Sequence, residues 1–125
     1  MTTFFQTPAP ELSWLEKSQA RERNEFSYRS TCSHHGLPES QHVAVQATEA
    51  AVLVTATDMD VLAEWLYVMG GSVSTVDLPS GQTAWTLHTS TWTDSPEFPV
   101  VPVHVSVVQP TGEPVMHEIR AAVAR

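Results

Sequence analysis

The sequence predicts an α+β fold: an antiparallel or mixed sheet of about five strands, packed by a central amphipathic helix and a C-terminal helix, with a peripheral N-terminal helix. Three observations lead to this prediction. Segments between residues 42 and 108 alternate apolar and polar residues, as half-buried strands do. A strongly apolar segment with helical spacing follows Thr57, and a charged segment rich in helix formers precedes the first strand.

The length and composition indicate a single domain. At 125 residues and 42% hydrophobic, the chain can bury an ordinary core. We expect an α+β domain at residues 30–125, preceded at residues 1–29 by an N-terminal arm and a charged helix.

The N-terminal helix is predicted to begin with a capping box, because Ser13-Trp14-Leu15-Glu16 fits the S-x-x-E pattern. The helix formers that follow predict a helix to about Phe26, and residues 28–41 are predicted to be a loop that contains Gly36 and Pro38. Apolar residues are sparse along this helix, so we expect it to lie loosely on the body or to meet a partner, and a solvated terminal helix that serves solubility alone is the alternative.

Two strands and a helix are predicted next. HVAVQAT at 42–48 alternates, and AVLVTAT at 51–57 has the nearly continuous apolar content of a more central strand. Asp58 can cap a helix, and Asp60 places negative charge in its first turn. Apolar residues then recur at helical spacing as far as Gly70, which is predicted to end the helix. The residues left to face outward are Asp60, Glu64 and Tyr67.

The second half of the sheet is predicted to consist of hairpins. SVSTVDL at 72–78 and QTAWTLHTSTW at 82–92 flank a Pro-Ser-Gly turn, and VVPVHVSVV at 100–108 alternates again. Pro102 indicates an edge position for that last strand, because proline lacks the N–H that a central strand uses. A C-terminal helix is predicted with Pro114 as an early residue. Its buried stripe is predicted to be Val115, Ile119 and Val123.

Charge is distributed unevenly along the chain, whose formal net charge is −8 at pH 7. All six lysines and arginines lie at residues 17–29 or 120–125, whereas the span 30–119 holds ten of the fourteen carboxylates. Phosphates are usually held by Lys and Arg, so the acidic body is not expected to bind nucleic acid. Its field favours a cation or a basic protein surface, and an acidic surface that serves solubility alone is the alternative.

The sequence also indicates the cellular compartment in which we expect the protein. No run approaches the ~20 apolar residues of a membrane helix, and the N-terminus lacks the charged and apolar regions of a signal peptide. A single cysteine, Cys32, cannot form an internal disulfide. We therefore expect a cytoplasmic protein with no membrane partner.

Three histidines fall on the polar side of the predicted strands: His42, His88 and His104. A hairpin loop centred on Pro96 places His88 directly opposite His104, with Cβ atoms about 5 Å apart. Two imidazoles at that separation can share a divalent transition metal such as zinc, with His42 or Cys32 assisting. The close ligand pairs of common zinc motifs are absent, so histidines on a solvated strand face are the alternative.

The segment STCSHHG at 30–36 places Cys32 beside His34 and His35. A neighbouring histidine can lower a thiol pKa, so a Cys–His nucleophile is one alternative here and the edge of a metal site is another. We interpret the segment as a polar loop. The sequence holds no G-x-S-x-G elbow, P-loop or G-x-G-x-x-G motif, so we expect no catalytic residue and favour a non-enzymatic protein over an enzyme.

The segment AVLVTATDMDVLAEWLYVMGGSVSTV at 51–76, with the hairpin that holds Trp85, resembles a pattern in small actinobacterial accessory proteins, or in proteins of phages and mobile elements of such hosts. In that pattern a V-x-V strand leads to a D-x-x-x-L-A-x-W-L helix, a glycine and a strand hairpin. The resemblance covers roughly residues 51–108 and is structural, so it carries no site residues. It implies an accessory or regulatory protein rather than a metabolic enzyme.

These observations predict a non-enzymatic interaction or regulatory module, expected to be a homodimer, whose acidic body or N-terminal helix docks on another protein. Trp14, Phe26 and Tyr28 are the predicted partner-binding anchors, since aromatic side chains dominate interface hot spots. The alternative is a metal-binding domain or metalloenzyme that uses His88 and His104. A small-molecule pocket lined by Trp65, Trp85 and methionines is compatible with the sequence, although nothing in the sequence indicates it.

Overall fold

The computed structural model describes residues 13–39, 43–92 and 100–123, which contain three helices and five strands. In chain order they are α1 (Trp14–His35), β1 (Val43–Ala47), β2 (Val52–Ala56), α2 (Met59–Met69), β3 (Ser72–Leu78), β4 (Gln82–Ser90), β5 (Pro102–Pro110) and α3 (His117–Ala121). The predicted α+β class is confirmed.

The strands form one mixed sheet in the order β1-β2-β5-β4-β3. Neighbouring strands are antiparallel except β2 and β5, which run parallel and are connected through α2 and the β3–β4 hairpin. The register predicted for β4 and β5 is confirmed, since His88 lies opposite His104. The loop around Pro96, from which this register was predicted, lies outside the described residues.

β5 is the middle strand of the sheet, so the edge position predicted from Pro102 is wrong. Pro102 is the first residue of the strand and is exposed. Proline is tolerated at the start of a strand, where the ladder does not yet need its N–H.

The core lies between one face of the sheet and the helices. Val54 of β2 and Val105 of β5 pack in one cluster with Leu62 and Trp65 of α2, and all four side chains are almost fully buried. Burying one such side chain contributes about 1.5–3 kcal/mol. The predicted start of α2 is confirmed, because the Asp58 carboxylate accepts a hydrogen bond from the backbone N–H two residues later.

Helix α1 differs from its prediction in length. The capping box at Ser13 is present, with hydrogen bonds in both directions between Ser13 and Glu16. The helix does not end near Phe26 but continues to His35, so much of the predicted loop is helical. Gly36 ends it with a left-handed backbone conformation, φ 67°, and is the first glycine or proline after the capping box.

The C-terminal half of α1 packs against the body. Tyr28 and Cys32 belong to the core cluster, and the Asn24 amide donates a 2.8 Å hydrogen bond to the Thr48 carbonyl oxygen beside the β1–β2 turn. Tertiary packing therefore stabilises turns of helix that their composition alone would not. The domain boundary predicted after residue 29 falls inside this continuous helix.

The C-terminal helix is shorter than predicted. α3 covers five residues and begins only after Pro114, at His117. Ile119 is fully buried as predicted, whereas Val115 and Val123 are half-buried. A parallel bridge from Val123 to Val73 holds the end of the described chain beside β3.

Candidate functional site

A surface groove of about 710 Å³ lies between α2 and α3. Its apolar lining comes from both sides of the gap and includes Leu66, Tyr67 and Met116. The side chain of Tyr67 is 90% exposed, so its ring is available to another molecule. Three carboxylates line the same groove, those of Asp60, Glu64 and Glu118. We call this feature the α2–α3 groove.

Two sets of contacts build the α2–α3 groove. Helix α2 packs Leu62 and Trp65 into the core, which turns Tyr67 outward as its sequence predicted. Helix α3 is held by buried Ile119 and by the bridge that Val123 makes to β3. The sequence thus predicted the exposed residues of α2 but not the groove, because α3 is positioned by contacts between distant parts of the chain.

Two of the three predicted anchors are exposed on α1: Trp14 is 77% exposed and Phe26 54% exposed. They lie about 18 Å apart along the helix and do not form one compact patch. The prediction that Tyr28 is an exposed anchor is wrong, because its side chain is fully buried. Its ring stacks on Trp65, with centroids 5.6 Å apart and planes at 11°.

Burial also decides the chemistry of Cys32. Its side chain is 1% exposed, and burial raises the pKa of its thiol to about 11. Burial, followed by the nearby Cys32, likewise raises the pKa of Tyr28 well above its usual range. A buried thiol that stays protonated at neutral pH is a poor nucleophile, so the geometry does not favour the Cys–His alternative.

The segment STCSHHG forms the last turns of α1, so its interpretation as a polar loop is wrong. The ring centroids of His34 and His35 lie 3.9 and 5.6 Å from that of Trp92. The hydroxyl of buried Thr31 accepts a hydrogen bond of 3.3 Å from the backbone N–H of Trp92. These contacts tie the end of α1 to the chain just beyond β4, and both histidines contact Trp92 while they remain exposed.

His88 and His104 form a close pair across the β4–β5 ladder. Their Nδ1 atoms are 3.0 Å apart, and their ring planes meet at 74°. This contact is a hydrogen bond, in which one Nδ1 carries a proton and the other accepts it. The Nε2 atom of His88 lies 2.8 Å from Ser74 Oγ on β3. Burial, and then the neighbouring His88, lowers the pKa of His104 below its ordinary value of 6.5, so this ring is neutral at neutral pH.

The structure brings together two of the four predicted metal ligands. Cys32 lies in the core on the helix side of the sheet, whereas His88 and His104 project from the opposite face, so the prediction that Cys32 assists them is wrong. His42 lies outside the described residues. Within residues 13–39, 43–92 and 100–123, no group of three or more His, Cys, Asp or Glu side chains is placed to hold a metal ion.

The histidine pair lies on the sheet face opposite the core, which we call the open face. Alternate residues of the five strands form it, and along the described strands these are Ala, Gln, Leu, Thr, Ser, Val, Pro and His, with no Asp, Glu, Lys or Arg. Leu53, Val76 and Val108 are exposed there. An acidic protein therefore carries an uncharged sheet face.

Comparisons of the chain with protein-family models, with curated proteins and with solved structures find no match. None of the described helices is long and apolar enough to cross a membrane. What can be inferred about function therefore depends on the geometry and chemistry of the groove, the histidine pair and the open face.

Proposed function

We propose that this protein is a non-enzymatic interaction module, of a regulatory or accessory kind, whose α2–α3 groove receives a basic amphipathic segment of another protein. One observation carries the proposal. An apolar groove presents the exposed ring of Tyr67 beside three carboxylates, on a body with no lysine or arginine between residues 30 and 119. The resemblance to actinobacterial accessory proteins supports the same class of function.

The apolar lining supplies affinity. A helix that lays its apolar face into a groove is a recurring mode of peptide recognition. Tyr67 fits the role of anchor, because tyrosine buries a large rigid surface at low entropic cost and is enriched among hot spots. Met116 on the other side is unbranched and adapts its shape to a ligand.

The carboxylates supply selectivity. Each exposed ion pair between Asp60, Glu64 or Glu118 and a partner's Lys or Arg contributes only about 0.2–1 kcal/mol. Together, however, they speed encounter with basic segments and disfavour acidic ones, and both effects weaken with salt. The same field repels phosphates, which favours a protein rather than a nucleic acid as partner.

The exposed residues of α1 belong to the proposal as a second contact region. Trp14 and Phe26 lie on the helix that carries four of the six basic side chains, so this part of the protein presents different chemistry from the groove. We place the protein in the cytoplasm, as its sequence led us to expect.

A matched pair of peptides tests the proposal. Both are amphipathic helices with Leu and Ala on one face, and they differ only in carrying Lys or Glu on the other. We expect the Lys peptide to bind with measurable affinity in fluorescence anisotropy and the Glu peptide to bind at least about tenfold more weakly, a difference of about 1.4 kcal/mol. Binding of the Lys peptide should weaken as salt rises.

Variants locate the binding surface. Tyr67→Ala and Glu64→Lys are each expected to weaken binding of the Lys peptide about tenfold. Glu113→Lys makes the same charge change at an exposed residue outside the groove and is the matched control. Equal binding of the two peptides, or an equal loss in Glu113→Lys and Glu64→Lys, would contradict the proposal.

A further inference from the structure

We propose that His88 and His104 form half of a site for a divalent transition cation, and that a second copy of this chain, packed on the same open face, supplies the other half. The inference is independent of the α2–α3 groove, which lies on the helix side of the sheet. It starts from the geometry of the two imidazoles.

The two rings already present the same nitrogen to one point. Their Nδ1 atoms are 3.0 Å apart. In a tetrahedral zinc site with Zn–N distances of about 2.0–2.1 Å, two ligand nitrogens lie roughly 3.3 Å apart. Each Nδ1 therefore needs to move by only a few tenths of an ångström, and each ring must also turn so that its lone pair points off the line between the two nitrogens, to replace the shared proton with a cation.

Ser74 provides the orientation that metal-bound histidines usually have. A histidine that binds metal through Nδ1 carries its proton on Nε2 and donates it to a neighbouring acceptor. The Nε2 atom of His88 lies 2.8 Å from Ser74 Oγ, which can accept this hydrogen bond. Ser74 thus acts as a positioning residue, which holds the ring of His88 with Nδ1 directed at His104.

The ligand set indicates the class of cation. Imidazoles suit zinc, copper and nickel, whereas calcium and magnesium prefer oxygen ligands. The open face carries no carboxylate along its described strands, so a hard cation has no partner there. Among the described residues no third protein ligand joins the pair, and structural zinc sites use four. A symmetric dimer would double the two imidazoles to four.

The charge of the protein favours this face as the place where two copies meet. Each chain carries a formal net charge of −8, so two copies that approach through acidic surfaces repel each other. The open face has no charged side chain along its described strands, and Leu53 and Val76 are exposed on it. Two copies can therefore pack here without burying an unpaired charge.

The position of the pair suits a two-fold axis. His104 lies on the middle strand of the sheet and His88 on the neighbouring strand. A two-fold axis that runs parallel to the strands and passes over this pair therefore lays the sheet of one copy over nearly the full width of the other sheet. Packed sheets lie ~10 Å apart, which places a cation on the axis ~5 Å from each backbone layer. Imidazole nitrogens on both sheets reach that distance.

The area explains why the cation would matter. Five strands at ~4.8 Å spacing and roughly seven residues at ~3.3 Å give an open face of about 550 Å² per copy. Two copies bury about 1,100 Å², only slightly more than the roughly 1,000 Å² expected of a specific interface. We therefore expect a weak dimer without the cation and a stable one with it.

The test measures mass and metal content together. Untagged full-length protein is analysed by sedimentation velocity and native mass spectrometry, with zinc chloride or with EDTA. We expect a dimer with one zinc per two chains, which EDTA returns to monomer. His104→Gln and His88→Gln should lose both the zinc and the dimer, and His117→Gln, at an exposed histidine outside the open face, should keep both. Ser74→Ala should keep the dimer at high zinc but bind the metal about tenfold more weakly.

Three results would overturn the inference. One zinc on each monomer means that a single chain completes the site. A dimer that persists in EDTA and in His104→Gln means that the metal does not hold the copies together. No zinc retained at about 100 μM free metal means that the pair is only a hydrogen-bonded contact. None of these results affects peptide binding to the α2–α3 groove, so the two proposals can fail separately.

Discussion

Replacing Tyr28 with alanine tests whether the C-terminal half of α1 belongs to the core. The ring is fully buried and stacked on Trp65. Loss of a buried aromatic ring costs about 3–5 kcal/mol, which includes the cavity it leaves. The Tyr28 hydroxyl has no hydrogen-bond partner among the described residues, so its removal returns about 1–3 kcal/mol. Taking the middle of each range, we expect a net loss of about 2 kcal/mol.

Urea unfolding followed by tryptophan fluorescence measures this loss. With a urea m value of ~2 kcal/mol/M, a loss of about 2 kcal/mol lowers the unfolding midpoint by about 1 M. Tyr28→Phe is the matched control, because it keeps the stacked ring and removes only the unpaired hydroxyl. We expect its midpoint to equal or exceed that of the wild type.

One pattern of results would refute the reasoning. If Tyr28→Ala unfolded within about 0.2 M of the wild type, the helix would not be packed on the body in solution. Residues 1–29 would then be the separable arm and helix that the sequence predicted. A large loss in Tyr28→Phe would show instead that the hydroxyl has a partner.

Two further predictions concern the backbone and the thiol. Gly71→Ala should destabilise the protein by about 1–3 kcal/mol or more in the same urea assay, because φ is 121° and an added Cβ collides with the carbonyl oxygen of His88. Gly81→Ala, where the added Cβ meets nothing, should lower the stability less. Equal losses in the two variants would contradict this account. Cys32 should react with iodoacetamide at pH 8 only as fast as the protein unfolds. Because its folded pKa is raised to about 11 from 9.0, its contribution to stability should be complete below pH 9 and lost as pH rises through 11. Cys32→Ala should lack that part of the alkaline decline, and rapid labelling of the native protein would argue against burial.

Features that depend on neighbouring residues were predictable. The capping box at Ser13 and the cap at Asp58 are each made within one helical turn, and both are present. The facing of His88 and His104 was predicted from a hairpin loop centred on Pro96, and it too is present. The two caps depend on residues within a few positions of each other, and the histidine pair depends on strands that are consecutive in the chain, so residue type and spacing carry the information.

Features that depend on contacts between distant parts of the chain were not predictable from the sequence. Tyr28 was interpreted as an exposed anchor because aromatic side chains dominate interface hot spots, yet it is buried and stacks on Trp65, which lies far along the chain. Pro102 indicated an edge, but the parallel pairing of β2 with β5 places its strand in the centre. The α2–α3 groove depends on the position of α3, which buried Ile119 and the bridge from Val123 to Val73 hold against the body.

The sequence by itself determined that this is an acidic α+β protein, where most of its strands and helices begin, and which two histidines face each other. Only the tertiary structure decided that α1 extends to His35, that Cys32 is shielded from the histidines, and that an uncharged sheet face and an acid-lined groove are left exposed. The physical reason is that periodicity records whether a residue faces an interior. The periodicity does not record which distant helix or strand forms that interior. The choice of that element depends on packing over the whole chain.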